Sequence, residues 1–196
     1  MTLVGFKRAT IGVLDADGNT LSTHVIEGKQ NEGATSTAET NGLSASPTKV
    51  YGSDIAYYVS QRGTGNITAN LGVLDLPDQI NDVLLGYKVV EETGISYIGN
   101  DTEPPYCSVL LESSNLQGAT ALFGLFKGKF SKETVAMNTM NTDETFTPEA
   151  ETFVFTAIED DKEGDSNGQT VGKYIGSEET AITALRDQVL PTTPAG

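Results

Sequence analysis

The sequence has no tryptophan, a single cysteine and a single histidine among its 196 residues, and each scarcity removes a class of function. Cys107 alone cannot close an internal disulfide, so the chain is no disulfide scaffold, and a reducing compartment is expected. His24 has no second histidine and no nearby cysteine, whereas a metal centre or a Ser-His-Asp triad needs several converging groups. It is read as a packed strand residue. Basic side chains are scarce too: 12 Lys and Arg face 27 Asp and Glu, giving a formal charge of −15. Such a surface repels phosphates and argues against a nucleic-acid binder of the usual basic kind. No segment approaches the roughly 18 consecutive apolar residues of a membrane helix, and the first residues hold no apolar stretch of signal-peptide length. A cytosolic protein without a membrane partner is expected. There is no P-loop and no GxGxxG.

Hydrophobic residues make up 37% of the chain, below the roughly 45 to 50% of an average soluble domain, so much of it is expected in polar loops. The 21 glycines and the many Thr, Ser and Asn punctuate short segments rich in aromatic and β-branched residues. Residues 6–15 alternate around Ala9, Ile11 and Val13. A turn at Asp15-Ala16-Asp17-Gly18-Asn19 then leads to a returning strand over 21–26. Residues 27–41, EGKQNEGATSTAETN, hold no apolar side chain larger than Ala and show neither period. They are read, within a stretch of about 27–46, as a long flexible loop. Strands are expected around Val50, over 54–60 and over 67–74. In LDLPDQINDVLLGY the period changes: Pro77 opens a helix over about 77–85, Ile80, Val83 and Leu84 share a face, and Gly86 ends it. Further strands follow at 87–90, 95–98, 106–112, 120–130, 152–158 and 170–175, and Phe153 and Phe155 point to one side. After Ser177, Ile182, Leu185 and Val189 stand at near-helical spacing before Pro191. The expected fold is mainly β: an antiparallel sandwich or barrel with one short flanking helix and a possible C-terminal helix. Residues 1–176 form the β domain and 177–196 a C-terminal extension.

Two acidic stretches invite a metal reading. Asp15 to Asn19 resembles the start of a calcium loop, but its glycine comes too early and helices do not flank it. The run Glu159-Asp160-Asp161-Lys162-Glu163-Gly164-Asp165 has the look of a solvated connection. Catalytic, cofactor-binding and metal-binding residues are therefore expected to be none, and cofactors none.

The blocks GFKRATIGVLD, KVYGSDIAYYVSQRGTG, LDLPDQINDVLLGY, IGNDTEPPYCSVLLES and ALFGLFKGKFS, spread over residues 5–131, resemble those of the major tail protein of siphophages infecting Gram-positive bacteria. The resemblance implies a non-enzymatic virion protein with a tail-tube fold. Six copies would close into a ring, and rings would stack into a hollow tube through which DNA passes without specific binding during ejection. It also implies assembly in the host cytoplasm, with a tape measure protein and tail terminator and tip proteins as further partners. In such proteins the loop after the first hairpin orders on assembly and bridges rings. Here that assigns Gly28, Lys29, Gln30, Asn31, Glu32, Gly33, Glu39 and Asn41 as inter-ring candidates. Carboxylates repel phosphate, so Glu112, Glu151 and Glu159, on or beside expected strands, are lumen candidates. The alternative is a β-sandwich carbohydrate-binding or adhesion module, which would present aromatic platforms. A third reading, a small hydrolase with paired carboxylates, requires two acids at a defined separation.

Overall fold

The computed structural model describes residues 2–139, 143 and 145–192. In chain order the elements are β1 (Leu3–Leu14), β2 (Thr20–Ile26), β3 (Ala34–Asn41), β4 (Thr48–Gly52), β5 (Ile55–Ser60), β6 (Thr68–Leu74), α1 (Asp78–Leu85), β7 (Lys88–Val90), β8 (Ile95–Tyr97), β9 (Cys107–Asn115), β10 (Thr120–Ser131), β11 (Glu151–Ile158), β12 (Val171–Gly176) and α2 (Glu179–Val189). The main sheet is antiparallel, in the order β2-β1-β9-β10-β11-β6-β3, with β12 pairing the first half of β10. It curls until its far strand meets its near one: Thr35 Oγ1 on β3 donates to the Phe6 carbonyl on β1 at 3.1 Å.

Strand parity places the core. Ala9, Ile11 and Val13 point inward opposite Leu111, Val109 and Cys107. Farther round, Phe130 faces Phe155, Phe155 faces Ala69, and Phe153 faces Leu71. The Phe130 and Phe155 rings lie 4.9 Å apart and tilted. Burying each such ring contributes about 1.5–3 kcal/mol. β9 over 109–111 and β10 over 121–126 have no polar side chain because both of their faces are covered there. The inner face joins the main core, and the outer face carries Leu110, Leu122 and Phe126 against Ile182, Leu185 and Val189 of α2. The C-terminal helix expected from spacing is thus present and packed on the sheet, and the Thr20 amide bonds the Pro191 carbonyl beyond it at 2.7 Å.

The first turn forms as expected: the Asp15 carboxylate accepts from the Asp17 and Asn19 amides at 2.9 and 2.8 Å, an Asx turn that needs no cation. α1 also lies where its period placed it, and Gly86 ends it with φ 66°. A side chain at Gly86 would strike the Glu103 carbonyl as well as strain that φ. The buried face differs by one position: Leu84 and Leu85 enter the core with Ile80 against it, and Val83 is exposed.

The larger difference is at 27–46. Residues 34–41 are not a loop but the edge strand β3, paired with β6 from Ala34↔Leu74 to Asn41↔Thr68. Its inward positions carry Thr35, Ala38 and Thr40, small enough to leave no apolar period, yet Thr suits a pleated edge.

Candidate assembly surface

One segment that contributes to neither core is the hairpin β4–β5. Its strands join through Ser53 and Asp54, both left-handed at φ 53° and 65°, as a two-residue type I′ turn requires. Its base is closed by Gly65 N–H to the Gly42 carbonyl at 2.8 Å and Ala45 N–H to the Gly63 carbonyl at 3.1 Å. Between base and tip every residue of both strands is exposed. These include Val50, Tyr51, Ile55, Tyr58 and Val59, with Tyr57 81% exposed. The register puts Val50 and Tyr58 on one face and Lys49 and Val59 on the other, so both faces are apolar. An isolated two-stranded ribbon is marginal in water, and an apolar surface of this kind marks an interaction site.

A second small hairpin, β7–β8, rides on α1. Its Ser96 hydroxyl donates to the carboxylate of Asp82, a buried acid of the helix. With Ser96 turned toward the helix, the opposite face carries Lys88, Val90, Ile95 and Tyr97. Ile95 and Tyr97 are exposed, and Glu91 and Glu92 form the tip.

The remaining candidate residues fall in different places. Gly28, Lys29, Gln30, Asn31, Glu32 and Gly33 make a compact turn between β2 and β3. It is closed by Gly28 N–H to the Gly33 carbonyl at 3.1 Å and by Lys29 reaching Glu27 at 2.6 Å. Glu39 and Asn41 lie on the outward face of the sheet, level with Asn70 and Thr68 and then with Val154 and Thr156. That face is rich in hydroxyls and amides and continues to Lys129 and Ser131 of β10. Its cations are matched, Lys129 with Glu103 at 2.9 Å and Lys127 with Asp161 at 2.6 Å. Glu151 and Glu159 lie at the two ends of β11, Glu151 bound to Lys132 at 2.8 Å.

Glu112 points toward α2 instead, between Arg8 of β1 at 2.6 Å and Arg186 of α2 at 2.9 Å. Burial alone would raise its carboxyl, but the hydrogen bond and charge of Arg8, followed by the charge and hydrogen bond of Arg186, outweigh burial and hold it below the ordinary value. Its contribution to stability is therefore complete above the ordinary carboxyl range and is lost as pH falls through the lower folded value. Glu112→Gln should cost about 1.5–3 kcal/mol near neutral pH, the range for hydrogen bonds to charged groups. The variant and parent melting curves should converge under acid, and a gap independent of pH from 7 to 3 would refute the charge assignment.

Nucleophilic and metal chemistry finds little to work with. Burial pushes the Cys107 thiol up to about 12, keeping it protonated. His24 stands half-buried with Ser22 Oγ 3.4 Å from Nε2, and burial lowers its pKa. Among the described residues no three His, Cys, Asp or Glu side chains gather to hold a metal, and no helix is long and apolar enough to cross a membrane.

Sequence reasoning found the strands of the exposed hairpin but not their detachment from the sheet. The available signal was the density of aromatic and β-branched residues at 50–59, between glycine-rich stretches and without a complementary inward partner. Comparison with known families matches residues 1–185 to the model for phage tail tube protein. No curated protein matches the chain.

Proposed function

We propose, from the premise that the chain belongs to the phage tail tube protein family, that it closes into rings of six whose stacking forms the tube conducting DNA into the host. It is a structural component of a phage tail, and the finer reading is carried by one observation: the β4–β5 hairpin presents apolar side chains on both faces, with nothing among the described residues to cover them. A neighbouring subunit supplies that cover. The open edges of β2 and β3 give each subunit unpaired backbone groups to share with others. The turn at 28–33 adds a contact between rings. We assign α2 to the tube domain rather than to an extension beyond residue 176.

The lumen is assigned to the polar outward face of β11, β6 and β3. Glu39 stands on it, Glu151 and Glu159 flank it, and Glu112 serves the α2 contact. Hydroxyls, amides and a few carboxylates leave a duplex hydrated and free to slide, whereas each Lys or Arg contact with phosphate would release counterions and retain it. A tape measure protein occupies this lumen before ejection, tip and terminator proteins close the ends, and the virion tail is assembled in the host cytoplasm. A carbohydrate-binding module would also expose tyrosines, but together on one face of a site; here Tyr57 and Tyr58, adjacent in one strand, point to opposite faces of the ribbon.

Negative-stain micrographs of concentrated protein should show rings or hollow tubes, and a small monodisperse species on size exclusion at every concentration would overturn the reading. Polymerisation should increase from 0.01 to 0.15 M salt, as the screening length between subunits of charge −15 falls from about 30 to about 8 Å. Duplex DNA should pass a filter unretained at physiological salt. Micromolar affinity would sink the lumen assignment.

A further inference from the structure

We propose that the β4–β5 hairpin of one subunit docks on the α1-borne hairpin β7–β8 of another copy, Lys49 and Arg62 meeting Glu91 and Glu92 while the arm's aromatic residues cover Ile95 and Tyr97. The assignment rests on the tube reading and names the acceptor for its arm. Three features carry it. First, charge: in a chain of −15 the arm, residues 42–66, holds Lys49 and Arg62 against Asp54 alone, whereas residues 87–102 hold Glu91, Glu92 and Asp101 against Lys88 alone. A positive ribbon and a negative one in the same molecule are complementary between copies. Second, both surfaces expose apolar side chains that no described residue covers, and each forms its own two-stranded sheet apart from the main one. Third, the acceptor is held in place, because the bond from Ser96 to the buried Asp82 fixes β8 to the helix and presents its other face outward.

The two surfaces attach to opposite ends of β6. The arm enters at Thr68, and α1 departs beyond Leu74, about 20 Å along the strand at roughly 3.3 Å per residue. Contact between unlike surfaces is heterologous, so each subunit keeps one donor and one acceptor free, and the association repeats instead of stopping at a dimer.

The test is charge reversal and its rescue in the full chain. Lys49→Glu with Arg62→Glu, or Glu91→Lys with Glu92→Lys, should each raise the concentration needed for polymerisation by about tenfold or more. All four substitutions together should restore it to within about threefold of the parent. These residues are exposed, so melting should hold in every variant. As an independent readout, Val59→Cys, on the Lys49 face of the arm, combined with Ile95→Cys should give a ladder of disulfide-linked oligomers on oxidation, since Cys107 is buried. Each cysteine variant alone should give no ladder. Normal assembly of either reversed variant, failure of the four-residue variant to recover, or tubes without the ladder would overturn the docking assignment and leave the tube reading intact. Parent protein that forms no higher assembly would instead refute the tube reading, and this assignment with it.

Discussion

Replacing residues 46–62 with a four-residue Gly-Ser linker is expected to leave a cooperatively folding domain that forms no tubes. The removed segment contributes no residue to either hydrophobic cluster, and both of its strands are exposed throughout. The ends to be joined are already held together, the Ala45 amide bonding the Gly63 carbonyl at 3.1 Å, so a short linker spans them without strain. Changes confined to such a surface usually shift stability by about 0.5 kcal/mol or less, about 1 to 2 °C in melting temperature for a chain of this size. Assembly loses the exposed Val50, Tyr51, Ile55, Tyr57, Tyr58 and Val59 and two of the chain's 12 basic residues. Melting followed by circular dichroism and tube length by negative stain form the two readouts. Tubes of normal length from the shortened protein would show that stacking is carried elsewhere, and the turn at 28–33 would become the next candidate.

The contrast between this arm and the stretch before it shows what a one-dimensional pattern carries. At 50–59 the aromatic and β-branched residues announce strands, and strands form. Alternation records that a side chain has an apolar neighbour, not whether the neighbour belongs to the same copy, so the arm's detachment was invisible in the pattern. At 34–41 the error ran the other way. An edge strand over the end of a core can fill its inward positions with Thr and Ala, and the hydrophobic period disappears while backbone pairing remains. α1 and α2 were legible because each inserts large aliphatic residues at helical spacing, though a spacing of three or four did not separate exposed Val83 from buried Leu84. Glu112 needed register as well as sequence. Strand parity turns it outward, and α2, remote in the chain, brings Arg186 over it.

Replacing residues 28–41 by a comparable linker is expected to have the opposite outcome from loss of the arm: a domain that melts far lower or fails to fold. β3 covers the outer edge of β6, pairing Ala38 with Leu71 and Thr35 with Val73, both nearly fully buried partners. Its leading turn also sets Gly33 against Ile26, and its Thr35 hydroxyl ties the sheet's far edge to β1. Removing it opens Leu71, Val73 and Ile26 to water, each worth about 1.5–3 kcal/mol when fully exposed. Exposure will be partial, so the combined loss is about 3–6 kcal/mol, and the ladder bonds of β6 must then be satisfied by water. A domain of this size holds about 5–15 kcal/mol in total, and each kilocalorie moves its melting temperature by about 2–4 °C. The expected drop is thus on the order of 10–20 °C, with dye binding to the uncovered core below the transition. Unchanged melting would mean that residues 28–41 are as dispensable to the monomer as their polar composition suggests, restoring them as a free bridge between rings. Tube loss by itself would not distinguish a broken interface from a broken subunit, so the melting curve carries this test. With the arm deletion expected to preserve folding, the two variants together separate the edge that builds the subunit from the ribbon proposed to join it to the next.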